Sequence, residues 1–287
     1  MTSSVVYRVR RRAVSVVLSI VAVIIFVASV FPVYWMINTS LLPNNLVRGP
    51  VPHFLPDGAT PKNYTFVLFE NTRAPFLGPL ANSLAVTLLT VAVALVFAFL
   101  SALAVTRFRF RGRKAFILAI LIVQMIPLEA MLISTYRMLE GWNLLNTIVG
   151  LTLVYVATVL PFTIWTLRGF VNGVPVELEE AAMIDGCSRI GAFWRVTFPL
   201  LAPGLVATGV FGFIQAWNEF VLALVVMSRP ESKTLPVWLS FFQTQTSATN
   251  WAAIMAGSTL IALPVVIFFL LVQGRMTSGL VAGAVKG

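Results

Sequence analysis

The segment ELEEAAMIDGCSRIGAFWRVTFPLLAPG, from Glu177 to Gly204, holds four of the chain's ten carboxylates in its first nine residues: Glu177, Glu179, Glu180 and Asp185. Pro175, just ahead of it, suits the first turn of a helix, where the missing N–H is not needed. The three glutamates then lie near the positive end of the helix dipole. Gly186 is placed to close that helix in a left-handed conformation, and Ser188 to cap a second one. In that second helix Ile190, Phe193, Trp194 and Thr197 share a face by i, i+3, i+4, i+7 spacing. Pro199 and Pro203 are expected to stop it and turn the chain. The spacing therefore predicts two short helices joined at an angle, with Ala181 and Ala182 allowing close approach. Dipole interactions supply only about 0.3–1 kcal/mol each and leave the aromatic stripe unexplained. An exposed stripe of that kind more naturally buries against another protein.

The rest of the chain is greasy. Of 287 residues, 59% are hydrophobic and 10% charged, against roughly 25% charged in a soluble domain. Mean hydropathy is +0.92. No Asp, Glu, Lys or Arg occurs in 13–47, 74–106, 141–167, 196–218 or 234–274, and about 20 apolar residues suffice to cross a bilayer. An all-α membrane protein follows, one transmembrane domain over 1–287, with six transmembrane helices at about 13–37, 80–106, 115–136, 147–168, 203–227 and 251–273. The N-terminus, MTSSVVYRVRRRA, leads into an apolar run longer than a signal-peptide core. No small-x-small site follows it, so an uncleaved first span is expected.

The net charge of +10 does not point to nucleic acid, because the basic residues flank the apolar runs instead of forming a surface stripe. Fourteen Lys and Arg fall on the side of the N-terminus, among them Arg8, Arg10–Arg12, Arg107, Arg109, Arg111, Arg113, Lys114, Arg168, Arg189, Arg195, Arg275 and Lys286; six fall on the other. Positive residues favour the cytoplasm. Both termini, the loop over 175–200 and the tail over 274–287 are therefore expected inside, and the polar loop over 38–79 outside. Trp35, Trp142, Trp165, Trp238 and Trp251 lie near span ends and read as interfacial anchors.

Little in the chain suits catalysis. The single cysteine, Cys187, excludes an internal disulfide. The single histidine, His53, has no Cys or His cluster around it, so no metal site is expected. There is no GxxxxGK[ST] phosphate cradle, so any ATP and Mg must sit on another chain. Two carboxylates fall inside predicted spans, Glu129 in QMIPLEAMLIS and Glu219 in QAWNEFVLAL. A charge there costs about 2.5–3.5 kcal/mol or more, so both should face a polar cavity or a partner. Glu129 falls roughly 21 Å into a straight third span at 1.5 Å per residue, at a depth similar to Glu219. With Gln215, Trp217 and Asn218 they would offer hydrogen bonds and an aromatic face along a substrate pathway. The same polar residues also suit helix–helix hydrogen bonding. A proton-coupled secondary transporter using Glu129 and Glu219 is the alternative.

The motif over Glu180, Ala181, Ala182, Asp185, Gly186, Phe193 and Pro199 resembles the EAA loop of ABC-importer permeases, with Cys187 where a small alanine is commoner. NSLAVTLLT…SALAVTRFRFRGRK, PKNYTFVLF, AWNEFVLAL and the ending GLVAGAVKG are similar to the carbohydrate-uptake permeases related to the smaller permease of the maltose transporter. Leu103 departs from a tyrosine common there. That resemblance implies a type I ABC importer permease fold and a non-catalytic subunit of an ATP-driven importer, in a bacterial or archaeal plasma membrane. It implies as partners a homologous second permease, a cytosolic ATPase dimer and an extracytoplasmic solute-binding protein, with a di- or oligosaccharide as cargo. The loop, Ile190 included, would seat in a cleft of the ATPase with Glu180 facing it. The tail, with Gly279, Gly283 and Lys286, would also reach the ATPase.

Overall fold

The computed structural model describes residues 3–71, 75–242 and 249–284, and among them the regular secondary structure is all helical, without strands. Thirteen α-helices occur in chain order. They are α1 (Ser3–Leu41), α2 (Asn44–Val47), α3 (Lys62–Thr65), α4 (Leu77–Arg107), α5 (Arg113–Gln124), α6 (Leu132–Gly141), α7 (Ile148–Gly173), α8 (Glu177–Ile184), α9 (Arg189–Ala192), α10 (Phe198–Asn218), α11 (Val221–Val226), α12 (Leu235–Ser240) and α13 (Trp251–Ala284). Five helices are long and apolar enough to cross a membrane, and a bent pair, α5 with α6, makes a sixth candidate.

Two compact units emerge. The first comprises Met1–Asn71 with Phe242–Leu260. In it the polar loop after α1 folds back on the end of that helix. Buried Asn63 donates through Nδ2 to the carbonyls of Ser40 and Leu42, at 2.8 and 2.9 Å. Asn38 donates to the carbonyl of His53, and the Tyr34 hydroxyl to that of Phe54. His53 pairs with Asp57 at 3.2 Å.

The second unit, Thr72–Phe241 with Ile261–Gly287, is built on α4, α7 and α10. On α4 the buried residues include Ser83, Val86, Thr87, Thr90, Ala94, Ala98 and Ala102, a strip of small side chains at helical spacing. It admits the apolar face of α7, where Leu151, Tyr155, Val159, Ile164, Leu167 and Val171 are buried. Small residues let helix backbones approach where lipid leaves no hydrophobic drive between them. Helix α10 does the same with glycine. A Cβ on Gly204 would stand 2.4 Å from Cγ of Phe170 in α7, and one on Gly212 3.3 Å from Val159.

Three expectations about the helices are corrected. The third span is not straight: α5 and the segment from Glu129 to Gly141 meet at 89°. Pro127 lies in the break, and a proline disfavours helical geometry in the residue before it, here Ile126. The chain between closes with short turns, Met125 N–H to Ile122 O and Ile126 N–H to Val123 O. The fifth span does not run to 227 as one helix, because α10 ends at Asn218 and Glu219 is extended at φ −67°, ψ 129°. Nor do Pro199 and Pro203 stop the helix after Ser188. Residues Arg189–Asn218 form one membrane-length helix through a π-helical turn at Phe193–Thr197. Pro199 stands in the first turn of α10 after that turn, and Pro203 is carried inside it. Trp238, expected at an interface, is buried, with its ring edge-on to Phe76 at 5.3 Å.

Gly204→Ala should lower the melting temperature of the detergent-purified chain, by about 1–3 kcal/mol of overpacking. Gly169→Ala, in α7 with nothing within 4 Å of the added Cβ, should leave it unchanged or raise it slightly.

Candidate functional site

The acidic segment folds as a capped helix–turn–helix. Three glutamates occupy the first turn of α8. At the other end Gly186 has φ +91°, where a side chain would be strained. Its N–H donates to Met183 O at 3.1 Å, and the Cys187 N–H to Ala182 O at 3.0 Å. This pair of bonds is a Schellman closure, which satisfies carbonyls the helix end leaves open. Ser188 Oγ then accepts from Gly191 N–H at 3.1 Å and starts α9. Arg195 donates to Cys187 Sγ at 3.6 Å across the turn.

Glu179 joins this unit to the spans. Its Oε1 accepts from the Thr197 hydroxyl at 2.8 Å and lies 3.5 Å from the Arg107 guanidinium at the end of α4. The same Arg107 nitrogen donates to Val174 O, just past α7, at 2.9 Å. One carboxylate and one guanidinium therefore tie α8, the π turn, α4 and α7 together, with both side chains mostly buried. Sequence reading assigned the three glutamates to the helix dipole and missed this joint. Its signal was the arginine that ends the charge-free run 74–106, with no acid nearby in sequence.

The motif residues are distributed as follows. Glu180 is exposed and makes no ion pair among the described residues. Ala181, Asp185 and Pro199 are exposed, and Ala182 is half-buried. Ile190 is 73% exposed, and neighbouring Ile184 86%. Phe193 turns inward, its ring 6.1 Å from that of Phe99 in α4. Thr197 is fully buried. The expected single face is thus split, because the π turn adds a residue per turn and advances the phase. Gly279 and Gly283 fall within α13, and Lys286 lies outside the described residues.

A second site lies at the bend between α5 and α6. A cavity of about 730 Å³ is lined there by side chains of α5, α6, α7 and α10, with Gln124, Thr135, Thr158 and Gln215 as its polar groups and Trp142 at its wall. Of the five residues proposed for a pathway, Gln215 alone is in this lining. Glu129 is exposed on the 3₁₀ turn after the bend, since the bend removes the straight span on which its depth was reckoned. Trp217 is buried, stacked on Phe213 at 5.5 Å, and donates to Ile261 O at 3.2 Å, so it presents no aromatic face. Asn218 donates to Ile214 O within its own helix. Both oxygens of Glu219 are occupied. Oε1 accepts from Leu222 N–H at 2.7 Å, and Oε2 from Ala223 N–H at 3.0 Å and the Tyr155 hydroxyl at 2.6 Å. That carboxylate caps α11.

A family model described as "Binding-protein-dependent transport system inner membrane component" matches residues 94–277, which include the joint, the loop and the cavity. The chain belongs to this family. It is 48% identical to the diacetylchitobiose uptake system permease protein DasC of Streptomyces coelicolor, over 94% of this chain and 96% of that one. It is 34% identical to the trehalose/maltose transport system permease protein MalG of Thermococcus litoralis, over 95% and 97%. In fold it matches a chain of a bacterial ABC transporter involved in the import of the acidic polysaccharide alginate, with a TM-score of 0.77 at 22% identity, covering 92% and 96%. The resemblance stated from the motifs is borne out: the relatives are sugar ABC permeases, and the fold is that of a type I ABC importer permease. Permease subunits of ABC transporters are not catalytic; the partner hydrolyses ATP.

Glu179→Ala should destabilise the chain by about 1.5–3 kcal/mol, the worth of hydrogen bonds to a charged group, read as a fall in melting temperature. Glu177→Ala, exposed in the same turn, should change it by no more than about 0.5 kcal/mol.

Proposed function

We propose that this chain is the permease subunit of an ATP-driven importer for a di- or oligosaccharide, forming half of a translocation pathway whose other half is a homologous permease. Its partners are a cytosolic ATPase dimer, which binds ATP and Mg, and an extracytoplasmic solute-binding protein. Both termini and the loop over 175–200 lie in the cytoplasm of a bacterial or archaeal cell. The excess of Lys and Arg on that side supports the orientation.

The observation that carries the reading is the joint at Glu179. A docking loop transmits force only if it is stiff and fastened to what must move. Here α8 is closed at its end by the Schellman bonds, and its carboxylate is fastened to α4, α7 and the helix running to Asn218. Closure of an ATPase dimer around exposed Glu180, Ile184 and Ile190 would therefore displace the spans as a group. Glu180 is the residue assigned to pair with a basic group of the ATPase. The C-terminal tail, with Gly279, Gly283 and Lys286, is a second contact with it. The cavity at the α5–α6 bend, with its two glutamines and two threonines, suits the hydroxyls of a sugar.

The proton-coupled alternative has no support among the relatives, and it would ask Glu219 to release the backbone it caps.

In vesicles holding the assembled transporter, Glu180→Lys should abolish ATP-dependent sugar uptake and ATPase recruitment while leaving the chain inserted. Uptake that persists, or that runs on an ion gradient without the ATPase, would overturn the proposal. Gln215→Ala should weaken apparent sugar affinity roughly 3–10-fold, the loss of one hydrogen bond of about 0.5–1.5 kcal/mol.

A further inference from the structure

A groove of about 720 Å³ runs along the end of α4, clear of the cavity already described. Its apolar wall is Val96, Phe99, Leu100 and Leu103 on one face of α4, faced by Phe193, Trp194 and Phe198; at its mouth stand Arg107, Glu179 and Arg189. We infer that this groove is a binding site for an anionic phospholipid, with an acyl chain along α4 and the headgroup phosphate at Arg189.

Three observations converge on that occupant. The first is length. Val96 to Arg107 spans eleven residues of helix, about 16 Å at 1.5 Å per residue, close to half of a hydrocarbon core of about 30 Å. The groove is one leaflet deep.

The second is charge. Arg107 is committed to Glu179 and Val174 O. Arg189 is exposed and makes no ion pair among the described residues. The chain that continues from the groove, RFRFRGRK over 107–114, carries five basic residues and no acid. Basic clusters at the end of a membrane span attract anionic lipid by about 1 kcal/mol for each residue near the surface.

The third is the alternation in that loop. Phe108 and Phe110 are exposed and alternate with exposed Arg109 and Arg111, so apolar and cationic groups are offered together, as a membrane surface requires. Ile190, in the exposed turn, lines the outer end of the groove, but the α4 wall from Val96 to Leu103 lies within a spanning helix, out of reach of a soluble protein. A neighbouring span with basic ends would be repelled at the mouth.

Trp194 lies in the groove and is 56% exposed, so it reports on occupancy. The full chain is reconstituted in phosphatidylcholine vesicles containing phosphatidylglycerol brominated along its acyl chains, and the Trp194 share of fluorescence is obtained by difference from Trp194→Phe. Brominated phosphatidylglycerol should quench this share several-fold more than brominated phosphatidylcholine at equal mole fraction. Arg189→Gln should reduce the preference about fivefold, the factor for one basic residue. Should that variant not insert, Arg109→Gln with Arg111→Gln should reduce it in the same direction. Equal quenching by the two lipids, a preference indifferent to these arginines, or a preference abolished by inorganic phosphate would overturn the site. Quenching by neither lipid would overturn it too, because protein then covers the groove. None of these readouts uses sugar uptake, so the transport reading stands or falls separately.

Discussion

Where a helix stops inside a bilayer, its backbone amides must find partners within the protein, because no water is there to take them. This constraint shapes the second unit more than any single hydrophobic contact. Helix α10 ends at Asn218, and the amides that open α11 turn to the Glu219 carboxylate, which the Tyr155 hydroxyl also holds. On the segment between α6 and α7, Asn146 takes a positive φ of 58°. Its Oδ1 accepts from Arg229 N–H at 2.8 Å and from the Ser232 hydroxyl at 3.0 Å, so the chain after α11 is tied as well. The chain after α10 and after α11 is thus closed by the polar side chains of Glu219, Tyr155 and Asn146, whereas the bend between α5 and α6 is closed by short backbone turns.

The same logic explains which parts of the molecule were legible in advance. Charge-free runs marked every span but the third, which carries Glu129, since length and the absence of Asp, Glu, Lys and Arg are local properties. Gly186 and Ser188 announced both ends of the turn between α8 and α9, because caps depend on near neighbours. The bend at 125–128 had a local cue in Pro127, masked by the apolar residues on both sides. The end of α10 had none. Glu219 reads in sequence as an isolated charge in a span, and only the placement of Tyr155, 64 residues away, turns it into a cap. The π turn was equally hidden. It shifts the phase of Phe193 and Thr197 relative to Ile190, and an i, i+3, i+4, i+7 reading assumes a constant phase. The Arg107–Glu179 pair joins residues 72 apart in sequence, beyond the reach of any periodicity.

Function sits on the boundary between these two kinds of information. The groups proposed to meet a partner, Glu180, Ile184 and Ile190, are exposed and lie within a compact motif. Those that hold the motif against the spans, Glu179, Arg107 and Thr197, are mostly or fully buried, and Arg107 is far away in sequence. An outward-facing set can be recognised from a short string of residues. The inward-facing set is a property of the assembled helices.

The unbroken helix from Arg189 to Asn218 has one more mechanical meaning. It places Gln215, on the wall of the cavity, on the same rod as Ile190 in the exposed turn, about 38 Å apart at 1.5 Å per residue. That rod is fastened by Thr197 near one end and packed through Gly204 and Gly212 against α7 along its length, so it is held against the neighbouring spans and not free to swing. Under the proposed coupling, a displacement imposed at Ile190 would therefore be carried to the cavity wall by one continuous piece of secondary structure.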